Sequence, residues 1–290
     1  MSELILMATS LIPNGRTELQ RKALRSWECA GAKIVSLNSP QEIAELRSEF
    51  EDFEFVSVPD DASAFSGRPL VYIANILEYL KSSNAEFVGI TNADIYIDGP
   101  TELASIYKQE TAGSLICGPR YDVSSLDSKN GNLDACGFDY FIYDRNINFP
   151  SLQNRLCLGM PFWDHWVPLT GLLSGIEIKI LDSPVAHHAS HPVKWSDQTL
   201  SFNDEFIRLL ILLRDITPNS TLADRRLTDF RTIPIEQTYY KLKHRMQEMR
   251  DSRLDSDDSM RIMGELASFY DDTTKSIIKF IRAHAKIIHI

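Results

Sequence analysis

A short polar cluster ends an apolar stretch in the first third of the chain. Residues 87–90 predict a buried strand, and Asn92 and Asp94 follow it directly. Polar side chains at the carboxyl end of such a strand lie where open α/β sheets bind their ligands. Two residues apart in extended backbone, these side chains can be directed at one point, and their hard oxygens suit Mg²⁺ or Mn²⁺ on a diphosphate. The alternative interpretation is an ordinary turn.

The densest group of chemistry-bearing residues lies between residues 159 and 197, which hold four of the seven histidines and three of the four tryptophans. Aromatic faces with a few polar groups are typical of concave sugar sites. Asp164 stands between Trp163 and Trp166. In an apolar wall its pKa would rise by desolvation, which suits general-base catalysis. The alternative is a core tryptophan pair, with Asp164 capping a helix predicted over residues 166–173.

Two histidines with the spacing His188-x-x-His191 follow a strand predicted over residues 176–181. Neutral imidazole is a good ligand for a divalent transition metal, and one of these rings can meet Asp94 across the sheet edge. The preceding His187 would point elsewhere in an extended segment. The alternative is an incidental or structural pair of histidines in a loop.

An acidic residue interrupts an aromatic strand predicted over residues 138–143. Asp139 lies inside this strand. A bare buried carboxylate is costly, so Asp139 needs a partner or a ligand. The alternative is that Asp139 caps a nearby backbone amide.

The elements that must position these residues alternate between strand and helix. This alternation predicts an α/β fold with a mostly parallel sheet and helices on both faces, because the helical stretches have the length that a right-handed crossover needs. Strands are predicted over residues 4–8, 33–38, 53–58 and 87–90, with helices over residues 17–30, 40–50 and 69–80.

The chain becomes helical after residue 200, with helices predicted over residues 203–213 and 236–250. We therefore expect a nucleotide-binding and catalytic domain over residues 1–200 and a helical region over residues 201–290.

The last segment, residues 275–290, carries four basic residues and no acid. A basic amphipathic helix can lie on an anionic membrane surface, and it can equally dock on its own domain or on a second subunit. Docking is the preferred interpretation, which leaves a homodimer or a partner module as candidate assemblies. The chain also ends on an apolar residue, as expected of one module of a longer protein. The basic residues are Lys275, Lys279, Arg282 and Lys286.

Composition excludes several classes of protein. The net charge of −10 argues against a nucleic-acid binder, which would carry a basic footprint. The four cysteines form no C-x-x-C pair, so we expect reduced thiols in a cytosolic protein. The chain has no signal-peptide pattern and no apolar run of about 18 residues, so we expect a cytoplasmic location, with contact at the inner face of the membrane through residues 275–290. The glycine-rich dinucleotide and phosphate-loop motifs are missing from the sequence.

Together these features resemble a GT-A glycosyltransferase of the bacterial family-2-like type. The resemblance covers about residues 3–200 and does not extend into the helical region. Asn92 stands where the family's Asp-x-Asp motif has its first aspartate, which removes one charge from the metal site. The residues that carry the resemblance are Thr9-Ser10, Ser26-Trp27, Asn92-Ala-Asp94, Gly137-Phe-Asp139, Phe162-Trp-Asp164-His-Trp166 and His188-x-x-His191.

The resemblance implies transfer of a sugar from a nucleotide-diphosphate donor to a glycan or lipid-linked glycan in surface polysaccharide synthesis. Asp94 would bind a divalent metal, Mn²⁺ or Mg²⁺, and His188 or His191 would complete its shell. Asn92 would lie near the ribose or the metal. Asp164 would deprotonate the acceptor hydroxyl in an inverting reaction, which we favour over a retaining one in which Asp164 would bind the acceptor.

The resemblance also assigns residues to the donor and acceptor pockets. Arg68 would approach the diphosphate. Uridine as the base rests on the family alone. The nucleoside pocket would be lined by Thr9, Ser10, Asn38 and Asp60. The donor-sugar and acceptor sites would be shaped by Asp139, Trp163, His165 and Trp166.

Two other functions compete with sugar transfer. A nucleotidyltransferase also uses a parallel sheet, a nucleotide and a divalent metal, but such enzymes carry a glycine-rich, basic loop after the first strand. The segment from Thr9 to Arg16 has one glycine and one basic residue, which counts against this function. The other alternative is a non-catalytic scaffold or membrane-docking protein led by the helical C-terminal region.

Overall fold

The computed structural model describes residues 5–13, 16–127, 130–150, 152–190, 199–252 and 256–290. His191, one of the two predicted metal-binding histidines, lies outside the described residues. Within them, the strands are β1 (Ile5–Thr9), β2 (Lys33–Asn38), β3 (Glu54–Ser57), β4 (Phe87–Thr91), β5 (Ile95–Ile97), β6 (Ser114–Gly118), β7 (Arg120–Val123), β8 (Gly131–Asp134), β9 (Tyr140–Asp144), β10 (Glu177–Leu181), β11 (Ala186–Ala189) and β12 (Lys286–Ile288). The helices are α1 (Thr17–Cys29), α2 (Pro40–Leu46), α3 (Ser63–Ser66), α4 (Ile73–Ser82), α5 (Leu103–Thr111), α6 (Trp163–Leu173), α7 (Thr199–Leu213), α8 (Thr221–Arg231), α9 (Glu236–Ser252) and α10 (Ser256–His284).

The main sheet has the strand order β12-β10-β6-β9-β4-β1-β2-β3. Its neighbours are parallel except for β9, which runs antiparallel to both β4 and β6. Tyr140, the first residue of β9, pairs with Thr91 and Gly118, the last residues of β4 and β6. The reversed direction of β9 therefore brings Asp139 to the carboxyl edge of the parallel strands, beside Asn92.

A smaller sheet with the order β5-β11-β7-β8 lies beyond that edge. In this sheet β11 is the shared neighbour of β5 and β7, and His188 pairs with Ile95 on one side and Asp122 on the other. The alternative interpretation of the sequence placed His188 in a loop. It lies in a strand, because the segment from residue 186 pairs on both sides.

Helix α1 fixes the position of β5. Ala23, Leu24 and Trp27 are buried along one side of α1, at the spacing that packs a helix against a sheet. The Trp27 ring nitrogen donates to the carbonyl of Ile95 at 3.0 Å, and the Ser26 hydroxyl accepts from the amide of Ile97 at 2.8 Å. The turn that carries Asp94 is therefore held between β4 and a strand bonded to α1.

The helices after residue 200 share one apolar core with the sheet. Phe206, Leu210 and Ile281 belong to the same buried cluster as Val88 and Leu115. The predicted boundary near residue 200 therefore marks the start of the helices. Their apolar side chains pack into the same core as the sheet.

The predicted helix over residues 275–290 is wrong at its end. Helix α10 ends at His284, and residues 286–288 form β12, which pairs in parallel with β10. Ile277 and Ile281 are fully buried against the rest of the chain, so the apolar side of α10 docks on its own domain. In the described part of the chain, every helix is too short or too polar to serve as a transmembrane span.

Candidate active site

Charged side chains from four neighbouring segments meet at the carboxyl edge of the main sheet. His188 lies at the centre of the group. Its Nε2 atom is 3.6 Å from Asp94 Oδ2, and its Nδ1 atom is 2.9 Å from Asp122 Oδ1. Arg16, from the loop after β1, approaches Asp94 Oδ2 at 3.9 Å. The structure thus brings together Asp94 and His188, which the sequence analysis selected 94 positions apart along the chain.

The carboxylates of Asp94 and Asp122 determine how the His188 ring is protonated. Burial lowers the pKa of His188, but the hydrogen bonds and charges of Asp94 and Asp122 outweigh burial, and the pKa is raised. The hydrogen bond to Asp122 places a proton on Nδ1, which leaves Nε2 facing Asp94. Metal-binding histidines typically donate from the other ring nitrogen to a carboxylate, as His188 does to Asp122.

The spacing of Asp94 and His188 fits a small divalent cation. Ligands at about 2.1 Å on one octahedral ion lie about 3 Å apart, close to the 3.6 Å between Nε2 and Oδ2. The Asn92 Oδ1 atom is buried and accepts no hydrogen bond within the described ranges. No group of three or more His, Cys, Asp or Glu side chains able to hold a metal occurs among the described residues.

Arg120 joins three carboxylates of the site. Its guanidinium contacts Asp122 Oδ1 at 2.9 Å, Asp134 Oδ2 at 3.0 Å and Asp139 Oδ1 at 2.9 Å. Burial by itself lowers the pKa of Arg120. The charges of Asp139 and Asp122 raise it by more, so the pKa lies above its usual value. Arg120 therefore stays charged and links Asp122, the partner of His188, to Asp139.

Asp139 has the partners that a buried carboxylate requires. Its side chain is 8% exposed, and it accepts from Arg120 Nη1 at 2.9 Å and from Asn92 Nδ2 at 3.2 Å. Burial raises the pKa of Asp139 to about 6, against the lowering effect of Arg120, and the charge of Asp164 adds to the rise. Asp139 and Asp164 therefore act on each other electrostatically across the site.

Asp164 lies in the first turn of α6 and faces the site. The helix begins at Trp163, three residues before its predicted start, and its N-cap residue is Phe162, with a left-handed φ of 80°. Asp164 does not cap α6; its Oδ2 atom is 3.4 Å from the amide of Phe138, and its Oδ1 atom is 2.8 Å from His165 Nδ1. A side chain at Gly137 would lie 2.2 Å from Asp164 Oδ2, so the loop before β9 leaves room for this carboxylate only with glycine there.

The two tryptophans on either side of Asp164 are part of the core. Trp163 is 2% exposed and Trp166 is 3% exposed, and the Trp163 ring meets Phe141 edge to face at 5.4 Å. His165 is also buried. The expected aromatic platform for a sugar is therefore not formed by these residues, which support α6 from inside the protein.

The predicted nucleoside pocket lies at the ends of β1 to β3. Thr9 is fully buried, and its hydroxyl finds no partner in the part of the chain that the structure describes. Asn38 is also fully buried, and its amide nitrogen donates to the Leu11 carbonyl at 2.8 Å and to Ser10 Oγ at 3.2 Å. Asn38 therefore holds the loop after β1.

Asp60 precedes α3 in the sequence and Arg68 follows it, and both residues are exposed. The Asp60 carbonyl accepts from Asn75 Nδ2 at 2.8 Å, which ties this loop to the start of α4. The Arg68 carbonyl accepts from Ser66 Oγ at 3.1 Å, so the backbone is fixed where its side chain departs.

The sequence analysis missed Arg120, Asp122 and Arg16. Arg120 and Asp122 are two residues apart in β7, so their side chains share one face of the strand. A charged pair with this spacing directly after the buried strand β6 was the signal available in the sequence. Arg16 follows the turn after β1, where a basic side chain can reach the sheet edge.

Comparison with known proteins gives a match by structure alone. No family model matches the sequence, and no curated protein matches it significantly. The crystal structure of S. aureus TarS matches with a TM-score of 0.50 and 12% identity, covering 98% of this chain and 53% of that chain. The 1–349 fragment of S. aureus TarS matches with a TM-score of 0.48 and 12% identity, covering 98% of this chain and 88% of the fragment. The mannosyltransferase PcManGT from Pyrobaculum calidifontis, in complex with GDP-Man and Mn²⁺, matches with a TM-score of 0.47 and 11% identity, covering 97% of this chain and 85% of that chain.

The chain spans about half the length of TarS. Similarity to TarS over nearly all of this chain confirms the predicted fold, an α/β GT-A fold with a mostly parallel sheet followed by C-terminal helices.

Proposed function

We propose that this protein is a metal-dependent glycosyltransferase that moves a sugar from a nucleotide-diphosphate donor to a glycan or lipid-linked glycan. The observation that carries the proposal is the approach of His188 Nε2 to Asp94 Oδ2, 3.6 Å, at the carboxyl edge of the sheet. Ligands of open α/β sheets bind at that edge. The carboxylate of Asp164 faces the same region, since its charge acts on Asp139.

Asp94 and His188 are the residues that would hold the cation, with the free oxygen of Asn92 beside them. A bound Mn²⁺ or Mg²⁺ would supply Lewis-acid stabilisation of the negative charge that develops on the leaving diphosphate. Asp122 accepts a hydrogen bond from Nδ1 of His188 at 2.9 Å, so metal binding would release the proton from Nε2, the ring atom that faces Asp94. Arg16 and the exposed Arg68 supply positive charge for the phosphates.

The donor's nucleoside would lie over the ends of β1 to β3. Thr9 offers a buried hydroxyl that has no hydrogen-bond partner among the described residues. Ser10 follows it directly at the end of β1, and Asp60 lies in the loop after β3. The amide of Asn38 fixes the loop from which Ser10 projects.

Asp164 is the proposed base for the acceptor hydroxyl. Its Oδ1 atom is bonded to His165, and its Oδ2 atom has only a long contact to the Phe138 amide, so Oδ2 retains the capacity to accept a proton. A positioned base typically contributes a factor of about 10²–10⁴ in rate. Attack by the deprotonated hydroxyl on the face opposite the diphosphate gives inversion. The acceptor is proposed to be a precursor of a surface polysaccharide, handled in the cytoplasm.

The test is metal-dependent turnover of nucleotide sugars by the purified chain. Release of nucleoside diphosphate from a panel of uridine, guanosine, cytidine and thymidine diphosphate sugars would be measured with Mn²⁺ and with EDTA. We expect turnover of donors with one base, at least tenfold faster with Mn²⁺, and a loss of at least 100-fold in Asp94→Asn.

Asp52→Asn is the matched control, because it removes the same charge from an exposed residue that pairs with Arg25. Both variants should unfold at the wild-type temperature. Turnover in Asp94→Asn equal to that in Asp52→Asn would refute the metal assignment, and no turnover of any donor, with a glycan mixture present, would count against the glycosyltransferase.

A further inference from the structure

The imidazole of His165 lies between two oxygen atoms that can only accept hydrogen bonds. His165 is 5% exposed. Its Nε2 atom is 2.8 Å from the carbonyl oxygen of Cys136, and its Nδ1 atom is 2.8 Å from Asp164 Oδ1. Both distances are in the range of good hydrogen bonds.

The two contacts determine how many protons His165 and Asp164 hold together. A carbonyl oxygen only accepts, so Nε2 carries a proton. An ionised carboxylate also only accepts, so a second proton lies between Nδ1 and Oδ1. Without it, the imidazole lone pair would face the carboxylate at 2.8 Å. The bonded pair therefore holds one proton more than a neutral imidazole beside an ionised aspartate.

The surroundings place the positive charge on the ring. Burial by itself lowers the pKa of His165, but the charge and hydrogen bond of Asp164, the Cys136 carbonyl and the charge of Asp139 together raise it above 6.5. Asp139, the residue just before β9, acts on the pair through its charge and is held by Arg120.

The other elements packed against His165 contribute rings and more distant charges. Phe162 and Phe206, from the start of α6 and from α7, lie with ring centroids 6.2 Å and 6.1 Å from the imidazole. Asp134 precedes Cys136 on the loop, and α10 brings Asp271 and Lys275 close enough to act on the Cys136 thiol. The carboxylates nearest the ring are those of Asp164 and Asp139.

We propose that His165 is a positioning residue that donates from both ring nitrogens, to Asp164 and to the Cys136 carbonyl, and so holds Asp164 with its other oxygen directed at the acceptor. This inference rests on the proposed role of Asp164 as the base. In the transfer step, the acceptor O–H bond breaks and its proton goes to Asp164 Oδ2. The acceptor oxygen bonds to the anomeric carbon, and the bond from that carbon to the diphosphate oxygen breaks, with the electron pair leaving on the diphosphate. His165 keeps both of its protons.

A pH dependence follows from this arrangement. Because the pKa of His165 is raised in the folded protein, its stabilising effect is complete below the unfolded value of about 6.5 and is lost as the pH rises through the raised pKa. Loss of the Nδ1 proton leaves a carboxylate opposite a lone pair, and Asp164 turns away. Transfer by the wild type should therefore fall as the pH rises through the raised pKa of His165.

Two substitutions of the same ring separate its two contacts. In His165→Asn the amide nitrogen can take the place of Nδ1 and donate to Asp164, without titrating. In His165→Gln the amide nitrogen can take the place of Nε2 and donate to Cys136, leaving Asp164 without a donor. We expect His165→Asn to keep kcat within about tenfold and to lose the alkaline fall, and His165→Gln to lose at least 100-fold in kcat with an unchanged Kd for the nucleotide.

The charge of the ring is also measurable without activity, in case a variant does not fold. Nitrogen NMR of the full chain should show both ring nitrogens of His165 protonated at pH 7. His284 supplies an internal contrast, because burial lowers its pKa below 6.5.

A neutral His165 at pH 7 in an active enzyme would overturn this inference alone, as would equal losses in the two variants with an unchanged pH profile. A chain with a charged His165 that turns over no nucleotide sugar would overturn the proposed function, and with it the role assigned to the pair.

Discussion

Arg120 is the residue on which the charge balance of the site depends. It binds Asp122, Asp134 and Asp139, of which Asp139 is the most buried, and it thereby joins the side chain that orients His188 to the one that holds Asn92. Removing the Arg120 guanidinium would therefore leave the buried carboxylate of Asp139 without its ion pair.

We predict that Arg120→Met lowers the free energy of unfolding by about 3 kcal/mol at pH 7, the usual effect of breaking a buried ion pair. Asp139 dominates this loss, since its side chain is 8% exposed. With Arg120 gone, the pKa of Asp139 rises above about 6, so the folded state binds a proton that the unfolded state does not. Stability then falls as the pH rises, and the deficit should be larger at pH 8 than at pH 5.

Urea unfolding of the wild type and of Arg120→Met at pH 5 and pH 8 measures this loss of stability. Asp139→Asn in the Arg120→Met background should recover part of the loss, because it removes the unpaired charge. A deficit that is the same at pH 5 and pH 8, with no recovery in the double variant, would show that the guanidinium does not compensate Asp139.

At the scale of elements, the loop before β9 and the first turn of α6 determine where Asp164 points. The loop passes so close to α6 that an added Cβ at Gly137 would lie 2.2 Å from Asp164 Oδ2. Phe162 starts α6 in a left-handed conformation that a non-glycine residue rarely adopts, and its ring stacks on Phe206 at 4.5 Å. The helix α7 thereby supports a strained residue next to the proposed base.

We predict that Gly137→Ala reduces transfer at least 100-fold while nucleotide affinity stays within about threefold, because the new methyl group displaces only the Asp164 carboxylate. Gly264→Ala is the control, since Gly264 lies in α10 with open space around its Cβ position. Steady-state kinetics and calorimetry on both variants make the comparison. Full activity in Gly137→Ala would mean that Asp164 does not act from its position in the structure.

The elements that could be predicted from the sequence are those with a local signal. The strands ending at Thr9, Asn38 and Thr91 are short segments rich in apolar residues. The helices between them have apolar spacing, so the parallel sheet and its carboxyl edge follow. Strands β5, β7, β8 and β11 have three or four residues each with mixed burial. Strands this short lack a periodic pattern, and only pairing between distant segments defines them.

The same distinction explains the errors at the site and at the C-terminus. The contact of His165 with Cys136 uses a backbone carbonyl, which no pattern of side chains records. Residues 286–288 look helical beside α10, but Ile287 and Ile288 pair with β10 instead, and β-branched residues suit a strand. Aromatic residues such as the tryptophans beside Asp164 are typical of a sugar-binding surface. Both are nevertheless core residues, because α6 is buried along nearly its whole length.

At the scale of the whole molecule, a chain of net charge −10 gathers several of its acids at one sheet edge, around Asp94, Asp122 and Asp139. Such a site attracts a divalent cation and, without one, repels a diphosphate. Nucleotide binding should therefore depend on the metal, which is the central claim of the proposed function.

Calorimetric titration of the purified chain with nucleoside diphosphates tests that claim most directly. Uridine, guanosine, cytidine and thymidine diphosphates would each be titrated with Mn²⁺ and with EDTA, into the wild type and into Asp94→Asn. We predict that one of them binds at least tenfold more tightly with Mn²⁺ than with EDTA, and that Asp94→Asn removes this difference. Equal Kd values with and without metal, or no binding of any nucleoside diphosphate at millimolar concentration, would contradict the account.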